Sequence, residues 1–155
     1  MSEGLTGGCA CGSVRYRLAS APMFVNCCHC SKCQTQTGSA FVINALIEAD
    51  RIETSAGELE VTELESGDGG AHDIYRCPKC HTALWSDYGR RGWLRFVRVG
   101  TLDDSAALPP DAHVFTSTKL PWVRLPQGAL VFEEYFDIKE HWPTESLERL
   151  QKARR

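Results

Sequence analysis

The chain has 155 residues, a common size for one domain, and we expect a single domain over residues 1–155. With 43% hydrophobic residues, the chain is too apolar to be disordered. Its net charge is −3, whereas nucleic-acid-binding proteins usually carry an excess of basic residues. The longest apolar stretch, 40–47, is too short to span a membrane, and the N-terminus carries no secretory signal. We therefore expect a cytoplasmic protein with no nucleic-acid or membrane partner.

Short strands separated by turns dominate the predicted secondary structure. Residues 14–18 alternate apolar and basic side chains, which is the period of a half-buried strand. Further strands are predicted at 41–47, 58–65 (with a bulge near Thr62), 74–76, 83–86, 93–99, 113–116 and 130–136. The C-terminal part, 129–153, adds the only predicted helix, Thr144–Ala153, with Thr144 as its cap. The pattern predicts a mostly-β domain of two or three small sheets.

Cysteine is the most informative residue type in this chain. Eight cysteines lie in three tight groups, and in a reducing compartment such groups bind metal more often than they form disulfides. The groups are Cys9 with Cys11; Cys27, Cys28, Cys30 and Cys33; and Cys77 with Cys80. We therefore expect metal sites.

The first and third groups are short turns that each present two thiols. Cys9, Cys11, Cys77 and Cys80 can form a tetrahedral Cys₄ zinc site once the fold brings the turns together. Such an ion would clamp two strand–turn units, so its role would be structural. The alternative is a redox pair at Cys77 and Cys80, but the βαβ context of a thioredoxin-like motif is not predicted.

The central group differs because its thiols lie close together along the chain. An extended backbone places Cys28 and Cys30 on one side, and a turn at Ser31 and Lys32 returns Cys33 to that side. Three thiolates could hold a zinc ion and leave its fourth position open, as in catalytic sites. The competing arrangement uses Cys27 or His29 as a fourth ligand and gives a closed site.

Charge indicates what an open three-thiolate site would do. Three thiolates around Zn²⁺ leave a net charge of −1, which weakens activation of bound water and leaves an incoming thiolate nucleophilic. The site therefore favours the handling of a small-molecule thiol over hydrolysis. Lys32 is placed to attract an anionic substrate, and the alternative is a solvated lysine in a turn.

Four motifs occur in order over residues 7–122: GGCACGSVRY at 7–16, CHCSKC with TGSAF at 28–41, RCPKCHTAL at 76–84 and HVFTSTKLPW at 113–122. Together they resemble the glutathione-dependent formaldehyde-activating enzyme family, which includes the centromere protein V relatives. The combined cysteine pattern is specific, whereas any one pair alone would be weak.

The resemblance implies a β-tent fold of small antiparallel sheets that binds two zinc ions. By that resemblance, Cys9, Cys11, Cys77 and Cys80 would hold structural zinc. Cys28, Cys30 and Cys33 would hold catalytic zinc. The implied activity is that of a carbon–sulfur lyase, forming S-(hydroxymethyl)glutathione from formaldehyde and glutathione.

Two other function classes are compatible with the residues. The first is a non-enzymatic, zinc-stabilised protein-binding module with both metal sites closed. The second is a reductase of oxidised methionine, which needs a free nucleophilic cysteine, and only Cys27 is left over for that role.

Overall fold

The computed structural model describes residues 4–155, which form eleven strands and three α-helices with short 3₁₀ turns between them. The strands are β1 (Thr6–Gly8), β2 (Arg15–Leu18), β3 (Phe24–Cys28), β4 (Val42–Glu48), β5 (Ile52–Ala56), β6 (Glu60–Glu65), β7 (Ala71–Arg76), β8 (Ala83–Tyr88), β9 (Leu94–Arg98), β10 (Ala112–Val114) and β11 (Leu130–Val131). The helices are α1 (Ser31–Thr37), α2 (Ile138–His141) and α3 (Thr144–Ala153). The prediction of a mostly-β domain with a short C-terminal helix is confirmed.

The strands form two sheets. The smaller sheet has the order β1-β2-β5, and the larger has the order β11-β10-β3-β4-β9-β8-β7-β6. Most neighbours are antiparallel, but β10 runs parallel to both β3 and β11. The parallel pairs place the 113–122 motif beside the central cysteine motif, although more than 80 residues separate them in the chain.

Several local predictions differ from the structure. Helices α1 and α2 were not predicted, and the β6–β7 register runs without a shift past Thr62, so the bulge expected there is wrong. The shifts lie instead between Tyr75 and Arg76 and in the β2–β5 pair. Helix α3 begins at Thr144, as predicted, but Pro143 is its N-cap, so Thr144 is not the cap.

The main core lies between the two sheets. The alternation of β2 points Tyr16 and Leu18 inward, and both are almost fully buried. Tyr16 packs edge-on against Trp85 of β8, with ring centroids 5.4 Å apart, and the Tyr16 hydroxyl is hydrogen-bonded to Thr101. Each buried side chain of this size stabilises the fold by about 1.5–3 kcal/mol.

The C-terminal helices close one side of the larger sheet. Trp142 stacks on Phe24 of β3 with ring centroids 5.5 Å apart, and Leu150 joins the same apolar cluster. Arg149 of α3 donates hydrogen bonds to the buried carboxylate of Glu48 at 2.6 and 2.8 Å. None of the helices in the described part of the chain is both long and apolar enough to cross a bilayer.

Candidate functional site

The first cysteine cluster joins two turns from the two sheets. Cys9 and Cys11 follow β1, while Cys77 and Cys80 form the turn between β7 and β8. Their four sulfur atoms lie within 4.8 Å of one another. Cys9 Sγ is 3.6 Å from Cys11 Sγ, which is 3.8 Å from Cys77 Sγ. A tetrahedral zinc with Zn–S bonds of about 2.3 Å requires sulfur separations of about 3.8 Å, so the cluster fits zinc.

Backbone amides point at the sulfurs of this cluster. The Val14 amide donates to Cys9 Sγ at 3.2 Å, and the Lys79 amide donates to Cys77 Sγ at 3.4 Å. Burial alone would raise the pKa of Cys9, but hydrogen bonds to its sulfur, led by that from Val14, lower the pKa to about 7. These hydrogen bonds therefore favour the thiolate form of Cys9, which is the form that metal ions bind.

The second cluster forms where β3 passes into α1. Cys28 ends β3, Cys30 is the N-cap of α1, and Cys33 lies in its first turn. Cys30 can cap the helix because its sulfur accepts a hydrogen bond from the Cys33 amide at 3.3 Å, and Gly38 ends the helix in a left-handed conformation. A helix thus replaces the turn predicted at Ser31 and Lys32.

The three sulfurs of this cluster converge within 4.8 Å, and Cys28 Sγ and Cys33 Sγ are 3.4 Å apart. Among residues 4–155, no fourth His, Cys, Asp or Glu side chain joins them. Hydrogen bonds from Cys28 and Cys33 hold the pKa of Cys30 well below its usual value, while the same contact with Cys30 raises the pKa of Cys28 to about 11. The cluster carries negative charge and suits a cation with an open fourth position.

A cavity of about 840 Å³ opens over these thiols. The Cys28–Cys30–Cys33 cluster and Lys32 lie on one wall, and Lys32 is exposed. The other walls mix polar, aliphatic, aromatic and charged residues, and the aromatic and cationic ones include Tyr88, Arg91, Trp93, Tyr135, Trp142 and Arg154. The volume suits a ligand of drug-like or peptide-like size.

Two buried asparagines line the cavity next to the cysteines. Asn26 Nδ2 donates to the Tyr135 hydroxyl at 3.1 Å, and Asn44 Oδ1 accepts from Arg98 at 2.9 Å. Partial desolvation of the phenol in the cavity wall raises the pKa of Tyr135, so its hydroxyl keeps the proton at neutral pH. These polar residues were not predicted because neither asparagine lies in a cysteine motif and Tyr135 is far away in sequence.

A third cluster lies on the other side of β3. Cys27, His29 and His113 bring a sulfur and two ring nitrogens within 4.8 Å of one another. Neither Cys27 nor His29 joins the Cys28 cluster, as the closed arrangement would require. Cys27 is 1% exposed, and burial raises its pKa to about 12, so it cannot serve as the accessible nucleophile of a methionine sulfoxide reductase.

Known proteins resemble this chain in sequence and, more weakly, in fold. Residues 4–118 match the profile of the family described as glutathione-dependent formaldehyde-activating enzyme. A Halomonas elongata protein named "putative glutathione-dependent formaldehyde-activating enzyme" is 32% identical over 130 residues, covering 78% of this chain and 80% of that protein. A Rhodobacter sphaeroides protein of known crystal structure is 18% identical, with a TM-score of 0.47, over 82% of this chain and 98% of that one.

Proposed function

Because this chain belongs to the glutathione-dependent formaldehyde-activating enzyme family, we propose that it is a zinc-dependent carbon–sulfur lyase that forms S-(hydroxymethyl)glutathione from glutathione and formaldehyde. The observation that carries the proposal is the position of the Cys28–Cys30–Cys33 cluster. These thiols line a cavity of about 840 Å³ and have no fourth protein ligand within the described chain. A small molecule can therefore reach the position that the protein leaves open.

Two zinc ions fit the two all-cysteine clusters. Cys9, Cys11, Cys77 and Cys80 would hold a structural ion, and Cys28, Cys30 and Cys33 would hold a catalytic one. Bound at the second cluster, zinc would lower the pKa of a substrate thiol and keep it as a nucleophilic thiolate. All eight cysteines are free thiols in the structure, which suits the reducing cytoplasm as the site of action.

The charges around the cavity support an anionic peptide-like thiol. Lys32, Arg91 and Arg154 provide cations for the two carboxylates of glutathione. Asp68 and Glu134 also line the cavity and provide partners for the substrate's α-ammonium group. These contacts would hold the substrate with its sulfur towards the cysteine cluster. Because the addition of a thiolate to formaldehyde has a low barrier, such positioning is the main source of the rate increase.

We assign the role of proton donor to Tyr135, whose side chain lines the cavity. Attack of the thiolate on formaldehyde forms a C–S bond and moves the carbonyl electron pair onto oxygen, which then needs one proton to become the hydroxyl. Asn26 Nδ2 already donates to the phenol oxygen of Tyr135, so the phenol's own O–H is free to point into the cavity. Tyr135 therefore acts as the general acid, and Asn26 positions it.

Exchange NMR with ¹³C-labelled formaldehyde tests this function directly. With zinc-loaded protein, we expect adduct formation with glutathione to be at least about 10-fold faster than in buffer. Cys33→Ala should lose this acceleration and one of two zinc ions, whereas Thr35→Ala, an exposed change on the same helix, should keep both.

Two results would reject the lyase. One is a rate with wild-type protein equal to that in buffer. The other is full activity in Cys33→Ala. A protein-binding module with closed metal sites predicts the first of these results, together with a metal centre that does not respond spectroscopically to added glutathione.

A further inference from the structure

On the side of β3 opposite Cys28, one thiol and two imidazoles that the proposed lyase reaction does not use come together. We propose that Cys27, His29 and His113 form a third metal site, which takes a soft monovalent ion of the Cu(I) class. This proposal is independent of the lyase function, because neither all-cysteine cluster contributes a ligand to it.

The three ligand atoms lie near the separations that a bound ion requires. Cys27 Sγ is 3.5 Å from His29 Nε2, which is 3.0 Å from His113 Nδ1. Metal–nitrogen bonds of about 2.0 Å and metal–sulfur bonds of about 2.3 Å need separations of about 3.3–3.7 Å. His113 Nδ1 lies within 4.8 Å of Cys27 Sγ and is closer to His29 Nε2 than a bound metal requires, so the His113 ring has to shift, which its half-buried position permits.

Backbone pairing holds the three residues in place. In the parallel β3–β10 pair, Cys27 lies directly opposite His113. The His29 amide donates to the Val114 carbonyl at 3.0 Å, which fixes the chain after β3 against β10. Both strands are interior members of the larger sheet, so the ligands are preorganised on rigid elements.

Charge and coordination number favour a monovalent ion. Metal binding displaces the Cys27 thiol proton to solvent, and the resulting thiolate with two neutral imidazoles carries a net charge of −1, so Cu(I) makes the site neutral and Zn²⁺ leaves it at +1. Cys27 and His29 are 1% and 0% exposed, where an uncompensated charge is costly, and Lys119 adds a nearby positive charge. Within residues 4–155 no fourth ligand is at hand, and Cu(I) accepts three sulfur and nitrogen ligands.

The alternative is a simple hydrogen bond, with His29 Nε2–H donating to His113 Nδ1. Metal binding moves the His29 ring proton to Nδ1, a buried atom with no hydrogen-bond partner in the described structure. That cost weakens binding compared with a site whose histidines have partners on both nitrogens. We therefore expect an exchangeable ion rather than a permanently held one.

The test is an anaerobic titration of the zinc-loaded protein with Cu(I) in competition with a chromogenic Cu(I) chelator. We expect one Cu(I) per chain without zinc release, and X-ray absorption should show one sulfur and two nitrogen ligands. Cys27→Ser and His113→Asn should each lower the Cu(I) affinity at least about 100-fold while retaining zinc. His141→Asn, which removes a histidine that belongs to none of the three clusters, should change nothing.

Each remaining result overturns the proposal. Cu(I) uptake matched by zinc release, or a sulfur-only shell, places the ion at the all-cysteine clusters. Equal affinity in the Cys27→Ser and wild-type proteins, or no uptake at all, leaves the cluster as a hydrogen-bonded group. A third zinc ion in place of Cu(I) contradicts the charge argument. If Cys27→Ser does not fold, the Cu(I) affinity of His113→Asn tests the proposal instead, because His113 is only half-buried.

Discussion

Cys27 and Cys28 are adjacent in β3, yet their thiols belong to different clusters on opposite faces of the larger sheet. Alternation along a strand produces this separation. The register that fixes it pairs Cys27 with Ile43 and Cys28 with Val42. A slip of one residue would exchange the two thiols between the faces, so the β3–β4 pairing decides which sulfur reaches the cavity.

The four-cysteine cluster should contribute strongly to stability. Cys77 is fully buried and links the β7–β8 turn to the turn after β1. Structural zinc supplies on the order of 10 kcal/mol of folding free energy. Cys77→Ser should therefore lower the free energy of unfolding by about 3 kcal/mol or more. Thermal unfolding of the zinc-loaded proteins, with and without a chelator, measures the loss.

A change in the same turn controls for that experiment. Lys79→Ala removes an exposed side chain and keeps the amide that donates to Cys77 Sγ, so its stability should match wild type. The chelator should lower the unfolding temperature of wild type much more than that of Cys77→Ser. If the two proteins respond equally to the chelator, the cluster has no structural metal.

Predictions for the fold succeeded where one face of an element is exposed. The alternation in 14–18 and the spacing in Thr144–Ala153 carry that signal, and both elements are present. β3 was missed because all five of its residues are buried, so it shows no alternation. α1 was missed because its start depends on a cysteine as N-cap, which is outside the usual set of capping residues.

In the candidate site too, the sequence predicts local features but not those that depend on contacts between distant parts of the chain. The sequence predicts that Cys28 and Cys30 share a side of an extended backbone, and the structure places both in one cluster with Cys33. The pairing of Cys27 with His113 depends on the parallel contact between β3 and β10, which no local pattern encodes. The position of Tyr135 in the cavity likewise depends on tertiary packing, through its hydrogen bond with Asn26.

Removal of the Tyr135 hydroxyl tests its role as the general acid. Tyr135→Phe should lower the catalysed rate of adduct formation about 100-fold, because the developing alkoxide loses its proton donor. Zinc content and the KM for glutathione should remain near wild type, since the ring stays in the cavity wall. A raised KM with an unchanged maximal rate would assign Tyr135 to substrate binding instead.

Buried His72 should make stability depend on pH. Burial, assisted by the positive charge of Arg98, lowers its pKa to about 4, while its ring stacks on Tyr88 and is hydrogen-bonded to Ser86. Between pH 4 and 6.5 the unfolded state therefore binds more protons than the folded state. Stability should fall as the pH drops through this window, by up to about 1.4 kcal/mol per pH unit.

The comparison that isolates His72 is the difference between wild type and His72→Gln. Both proteins share the acid-sensitive thiolates and the buried His29, so those contributions cancel. Denaturant unfolding at several pH values in excess zinc should give a shallower pH dependence for His72→Gln. Parallel curves for the two proteins would show that folding does not lower the pKa of His72.

Cations around the cavity should govern the affinity for glutathione. Arg91 lies close enough to Asp68 and Tyr135 to influence their pKa values, and it is exposed, so part of its effect is screened. Arg91→Gln should raise the KM for glutathione about 3- to 30-fold and weaken its dependence on salt. The KM for 2-mercaptoethanol, which has no carboxylate, should not change. Arg124→Gln makes the same charge change at an exposed position outside the cavity. If it raises the KM for glutathione as much as Arg91→Gln does, Arg91 acts only through the net charge of the protein.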